Sequence, residues 1–305
     1  MFNIVKPNTN YDFVKASRIG VIASVIVIGI MMFVFFTKGL NYGVDFTGGI
    51  EMQVKFEDAS VDSQKLRTVM QEIKSGDVQV QKFSDATGNE YLIRVKGSEA
   101  DLNVVTKDIE LKLETTFSKG TYDIRKIEIV GPKVGEELKL SAIYALIYAM
   151  LGIFIYIAIR FDYKFSPGAI VALIHDVLFT VGIFAITGYQ FTLSTVAALL
   201  AIVGYSVNDT IVIYDRIREV MDKHKGMSLP VMINKALNET LSRTILTTLV
   251  TFLCVLMIFI FGGSSLRDFS LALVVGMVSG VYSTVFIASP VILLMDRLFG
   301  KKKAE

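Results

Sequence analysis

Apolar residues along this chain gather into long unbroken runs separated by short polar segments, with one stretch of different character after the first run. Each run holds about 20 residues, the length a helix needs to cross roughly 30 Å of hydrocarbon. Six runs predict six transmembrane helices, over 17–38, 139–160, 167–188, 191–214, 243–262 and 268–295. The first is too long for the apolar part of a signal peptide. It is followed by Thr37, Lys38, Gly39 and Leu40 rather than by a small-residue cleavage site, so we expect it to be retained.

Residues 39–138 read as a water-exposed domain, with frequent charges and short hydrophobic runs. Ile50, Met52, Val54 and Phe56 alternate with Glu51, Gln53 and Lys55, as in a half-buried strand. Leu66, Val69, Met70 and Ile73 have helical spacing. Val78 and Val80, a turn over 85–89, and Tyr91, Ile93 and Val95 predict a hairpin. Ser98 with Asp101 has the form of a capping box, and Leu102, Val105, Ile109 and Leu113 continue a second helix. In the last strand the alternation slips by one at Arg125-Lys126, between Ile124 and Ile127, which predicts a bulge. The order β-α-β-β-α-β is the ferredoxin-like pattern. The expected fold is thus a polytopic α-helical membrane protein, with six transmembrane helices and a ferredoxin-like α+β domain between the first and second.

Composition adds little to this picture. The net charge is only +2 on 305 residues, which gives no sign of a nucleic-acid partner. Cys254 is the only cysteine, so neither an internal disulfide nor a cysteine metal site is available. The placement of charge says more. Lysine and arginine collect in the N-terminal segment 1–16, the Arg160/Lys164 loop, the amphipathic connection 215–240 and the tail 296–305. The Gly188 turn has none and the Gly262 turn has only Arg267. By the positive-inside rule both termini are cytoplasmic and the folded domain is periplasmic.

Polar side chains inside the runs are the candidates for chemistry. Asp209 lies about six residues before charges resume, roughly 9 Å below the boundary at ~1.5 Å per residue. A carboxyl there is costly unless it is paired, protonated or wet. His175 and Asp176 in the third run, Asn208 with Asp209 in the fourth and Arg243 at the start of the fifth fall in the same half of the bilayer. Asp209 and Arg243 are placed to meet, with Ser206, Thr210, Thr247 and Thr248 as hydrogen-bond partners. Two readings stand: a static polar clamp between helices, or a proton path built on a buried carboxylate and a switchable cation. Arg243 can also snorkel to the surface, and a His beside an Asp is often a satisfied pair. No metal-ligand spacing appears, and the glycine-rich stretch Gly43–Gly49 precedes a strand, so it is no phosphate cradle. In the sixth run Ala272, Gly276, Gly280, Thr284 and Ala288 recur every fourth residue, a stripe on which another helix can pack closely. Asp215, Arg216, Arg218 and Glu219 read as a solvated helix end with internal ion pairs, or as a docking patch.

Five motifs occur in order: GVDFTGG at 43–49, GPKVGEEL at 131–138, HD at 175–176, GYSVNDTIVIYDRIRE at 204–219 and TLSRT at 240–244. Together they resemble the SecD/SecF family of bacterial protein-export membrane proteins, within the resistance-nodulation-division superfamily. The resemblance covers essentially the whole chain. It marks Gly43, Asp45, Gly48, Gly49, Gly131, Pro132, Gly135, Asp215 and Arg216 as family-motif positions. It places the family's transmembrane aspartate at Asp209 and its arginine at Arg243. Such transporters contain two copies of a unit of one helix, an outer domain and five helices. This chain has one, which implies an obligate heterodimer with SecD in the inner membrane, associated with the SecYEG channel and YajC. The implied role is not enzymatic and needs no cofactor. The proton motive force, or sodium in some members, helps draw unfolded secretory chains out after SecA has pushed them. Two other functions fit the pattern less well: a half-size exporter of lipids or drugs from the same superfamily, and a non-transporting scaffold of the channel. The first needs an apolar pocket in an outer domain that is small, charged and without tryptophan.

Overall fold

The computed structural model describes residues 9–58, 61–72, 77–85, 88–96, 102–117, 120–161, 164–224 and 226–299. In order the elements are α1 (Phe13–Lys38), β1 (Asn41–Tyr42), α2 (Val44–Thr47), β2 (Gly49–Phe56), α3 (Ser63–Gln71), β3 (Asp77–Asp85), β4 (Gly88–Lys96), α4 (Leu102–Thr116) and β5 (Tyr122–Val130). Then come α5 (Pro132–Arg160), α6 (Ser166–Thr187), β6 (Gln190–Phe191), α7 (Leu193–Lys223), α8 (Leu229–Phe261), α9 (Ser264–Ser283) and α10 (Ser289–Phe299). One turn of π-helix, Thr284–Ala288, joins the last two. Ile73, the Ser98/Asp101 capping box, the tip of the 85–89 turn and the two ends of the chain lie outside the described residues.

Among the described residues six helices are long and apolar enough to cross a membrane: α1, α5, α6, α7, α8 and the continuous α9–α10. Their bounds differ from expectation, and each difference has a local cause. α1 starts at Phe13 rather than at residue 17, because the Asp12 carboxylate caps it by accepting from the Lys15 N–H (3.0 Å). α5 starts at Pro132 rather than 139, because proline at the first helical position loses no bond. The polar connection is not a separate element. α7 runs on to Lys223 and α8 begins at Leu229, and the overhanging turns are stitched by Arg216 to Glu219 and Glu239 and by Lys223 to Glu219.

β2 to β5 form a four-stranded antiparallel sheet in the order β3-β4-β2-β5, with α3 and α4 on one face. Ile50, Met52, Val54 and Phe56 are buried there with Leu66, Met70, Tyr91, Ile93, Ile109 and Leu113. Gln53 lies opposite Lys126 but Val54 lies opposite Ile124, so Arg125 is the extra residue of a bulge where the alternation slips.

In the bundle α6, α7 and α9–α10 are half buried, whereas α1, α5 and α8 expose most of their surface. Gly276 leaves room for Ile202, whose side chain occupies the place of a Cβ. Gly280 does the same for Ser206, 3.2 Å from where its Cβ would stand. The small-residue stripe therefore faces α7. Pro290 does not break the last helix. It removes a donor, the helix widens into the π-turn, and Ser289 Oγ donates to the Thr284 carbonyl (3.3 Å). At one end of the bundle the basic segments meet: Arg160 pairs with Asp215 (3.5 Å), Lys164 with Asp296 (3.0 Å), and Asn234 and Asn238 bind the Tyr11–Val14 backbone.

At the other end the soluble domain is fastened to the bundle. β1 pairs in parallel with β6, Asn41 opposite Gln190 and Tyr42 opposite Phe191. Two-residue strands leave no periodicity, so this pairing has no sequence signal. The one-turn helix α2 wedges between the starts of α5 and α7. Gly48 has φ +69°, and a Cβ there would stand 2.6 Å from Pro132 Cα. Gly135 returns the fit, with a Cβ position 3.1 Å from the Phe46 carbonyl. We expect Gly48→Ala to destabilise the chain by about 2 kcal/mol or more, from backbone strain and collision together. Thermal unfolding in lipid nanodiscs measures it, and an unchanged midpoint would show that the wedge is loose.

Candidate functional site within the membrane

Five helices converge on the polar residues of the bundle. Asp176 is fully buried (0 % exposed) on α6. Its Oδ2 accepts from Ser206 Oγ of α7 (2.7 Å) and Ser283 Oγ of α9 (2.8 Å). Its Oδ1 accepts from Ser279 Oγ (2.6 Å) and faces His175 Nδ1 (3.3 Å). A carboxylate in this environment costs several kcal/mol unless it is hydrogen-bonded on every side, and this one is. One turn further along α7, Thr210 Oγ1 meets Thr284 Oγ1 at 3.1 Å, beside the π-turn. His175 Nε2 reaches Ser24 Oγ of α1 (3.2 Å), and Ser24 donates to Tyr282 (3.0 Å).

Asp209 occupies a different setting. It is 7 % exposed on the α8 side of α7, and its hydrogen bond is from Thr248 Oγ1 at 3.3 Å. Arg243 is near enough to act on it electrostatically but is exposed, and the two are not within ion-pair distance. Thr247 turns back to the Arg243 carbonyl (2.9 Å), and Asn208 faces outward. The structure thus brings His175, Asp176 and Ser206 into one cluster and Asp209 with Thr248 into a second, with Arg243 at its edge. Ser24, Ser279, Tyr282 and Ser283 escaped the sequence reading. Ser279 and Ser283, four apart beside Gly280 in an apolar run, were the available signal.

A second polar site sits at the junction with the soluble domain. Asp45 Oδ2 accepts the Leu193 N–H (2.7 Å) and so caps the helix that carries Asp209. Gly43 N–H donates to the Phe191 carbonyl (2.9 Å). Glu51, 12 % exposed, accepts from Gln190 Nε2 (2.6 Å) and Arg94 Nε (2.8 Å). Burial holds the Glu51 carboxyl above its ordinary range, against the opposing pull of Arg94.

These observations define a multi-pass membrane protein made of one helix, a four-stranded α+β domain and five further helices, with two buried carboxyl groups in the bundle. The chain belongs to the SecD/SecF family. Residues 110–298 match "Protein export membrane protein SecD/SecF, C-terminal" and residues 33–60 match the "SecD/SecF GG Motif". It is similar to the protein translocase subunit SecF of Calditerrivibrio nitroreducens, with 43% identity over 97% of each chain. It is also similar to that of Magnetococcus marinus, with 44% identity over 94% of this chain and 93% of the other. Among solved structures it resembles SecDF of Thermus thermophilus, with TM-score 0.84 and 33% identity over 95% of this chain. SecDF in its super-membrane-facing form matches with TM-score 0.71 and 32% identity over 100% of this chain. The chain spans 39% and 41% of the length of those two SecDF chains.

Two predictions follow from the contrast between the sites. Asp176→Ala strands three hydroxyls and an imidazole, and we expect a loss of about 3–5 kcal/mol. Asp209→Asn keeps an acceptor for Thr248 and should stay within about 1 kcal/mol of wild type. Thermal unfolding of both in nanodiscs checks the order. At the junction, the raised Glu51 favours its protonated form in the folded state. Its contribution is full below the ordinary value of 4.5 and is lost as pH rises through the raised range. Wild-type stability should therefore rise on acidification from neutral towards about pH 5, and Glu51→Gln should flatten that slope. An unaltered slope in the variant would place the pH dependence elsewhere.

Proposed function

We propose that this chain is the SecF-type subunit of the accessory complex of the Sec preprotein translocase, an ion-driven transport subunit and not an enzyme. With SecD it uses the proton motive force, or a sodium gradient, to assist release of unfolded secretory chains across the inner membrane. The single observation that carries this reading is Asp209. It is a buried carboxyl held by one threonine hydroxyl, with an exposed arginine close by but beyond ion-pair distance of it. Protonation removes the attraction between Asp209 and Arg243 and changes the preferred packing of α7 against α8.

The fold supplies a route by which that change is felt outside the membrane. α7 is capped by Asp45 at its far end, so a tilt of α7 acts directly on α2, which leads into β2. In this reading the α+β domain is periplasmic and ferredoxin-like, and the basic segments gathered at the opposite end are cytoplasmic. SecD is the partner that completes the unit. Asn208 and Arg243 present polar groups on exposed helix faces, where lipid offers no hydrogen bonds, and the SecDF chains it resembles are more than twice as long. SecYEG and YajC are the further partners expected in the translocase. No resident cofactor is invoked, and the transported proton or sodium is the only ion required.

The test is export of a reporter secretory protein in cells depleted of this subunit, rescued by wild type or by Asp209→Asn at equal membrane levels. We expect rescue by wild type alone, with SecD binding intact in the variant. Equal rescue by both would reject ion coupling at Asp209 and favour a scaffold role.

A further inference from the structure

The surroundings of His175 fix where the protons on its ring must be. Tyr282 Oη donates to the Gly20 carbonyl of α1 (2.7 Å), and a carbonyl only accepts, so the phenol proton is committed there. Ser24 Oγ, 3.0 Å from Tyr282 Oη, must then supply the proton of that second bond. It has none left for His175 Nε2, 3.2 Å away, so Nε2 is the donor. The same accounting holds on the other side of the ring. Ser279 gives its proton to Asp176 Oδ1 (2.6 Å). Nδ1 therefore faces a carboxylate oxygen (3.3 Å) and a hydroxyl oxygen whose proton points elsewhere (3.4 Å). Nδ1 must also carry hydrogen. A ring with both nitrogens donating is an imidazolium.

We infer that His175 is a second proton-binding site, separate from Asp209, whose charge is balanced by Asp176 and whose occupancy is read by α1 through Ser24, Tyr282 and the Gly20 carbonyl. This rests on the proton-coupled reading above and assigns it a further site. The titratable groups facing the ring are Asp176 on its own helix and Tyr282 on α9. α1 presents Ser24 and α9 also presents Ser279, while α7 reaches Asp176 through Ser206. Phe179 stacks on the ring at 6.1 Å and closes that side. The Asp176 carboxylate keeps its hydroxyl donors throughout, and the imidazole takes and loses the proton. When Nε2 loses its hydrogen, the Ser24 hydroxyl turns to it, and the bond from Ser24 to Tyr282 opens. The contact between α1 and α9 then weakens at the helix that leads straight into β1 and the glycine wedge.

The chain has only two histidines, His175 and His224, which makes the test direct. Full chain labelled with ¹⁵N-histidine is placed in lipid nanodiscs and read by NMR, with the His175 signals assigned by their loss in His175→Gln. At about pH 7.5 we expect both His175 nitrogens to carry hydrogen, as their hydrogen-bond partners require. Ser24→Ala removes the acceptor of Nε2 and should lower the proton affinity of His175 about tenfold, with Asp176 and the rest of the cluster in place. A neutral single tautomer in the wild type, or an unchanged titration in Ser24→Ala, overturns the inference. Asp209→Asn separates it from the functional reading. Loss of export in that variant with a neutral His175 leaves Asp209 coupling standing and sinks only the second site. Normal export in that variant with an imidazolium at His175 does the reverse.

Discussion

The bundle is built around a fully buried carboxyl group. Asp176 sits where water cannot reach it, and nothing smaller than a full set of donors makes that tolerable. The hydroxyl donors come from two other helices, so satisfying the carboxylate fixes how α6, α7 and α9 lie against one another. The hydroxyls are short, and they reach only if backbones approach closely. This is why Gly276 and Gly280 stand where a methyl group would collide with Ile202 or crowd Ser206. The small-residue stripe of the last helix and the acid of the third are thus one constraint seen from two sides.

α7 is held twice. Near its middle Ser206 is tied to Asp176, and at its start the Leu193 N–H is capped by Asp45 of α2. Between Ser206 and the charged end lies Asp209, turned towards α8, the most loosely covered of the later helices. The two carboxylates differ in what surrounds them. Asp176 has three fixed hydroxyls and an imidazole, whereas Asp209 has one threonine and a nearby arginine beyond ion-pair distance. A group with few fixed partners can exchange them at little cost, and a group with many cannot. Asp209 is suited to change and Asp176 to hold position.

Much of this was legible in the sequence. Runs of about 20 apolar residues define spans whatever their packing, because the bilayer sets their length. The slip at Arg125-Lys126 gave the bulge because a strand has a period of two and one extra residue must appear as a phase change. What escaped depended on contacts distant in sequence. β1 and β6 are too short to show alternation and are separated by the whole soluble domain. Ser24 and Tyr282 are ordinary residues in a membrane helix until folding sets them beside His175. Asp209 and Arg243 were placed at matching depths from helix length alone. Depth says nothing about rotation, and Arg243 turns outward.

That outward turn bears on how a single unit of this kind works. An arginine and an asparagine on exposed faces at bilayer depth are poorly matched to lipid and well matched to another protein surface. The soluble domain, by contrast, is fastened to its own bundle through the glycine wedge, the Asp45 cap and the Glu51–Gln190 bond. Movement within the unit at that junction is thereby restrained. Asp209 lies on the α8 side of α7, beside the exposed Arg243, while the capped start of α7 and the wedge tie that helix to the α+β domain. One continuous helix, α7, thus runs from the Asp45 cap past the tie between Ser206 and Asp176 to Asp209 and the charged end.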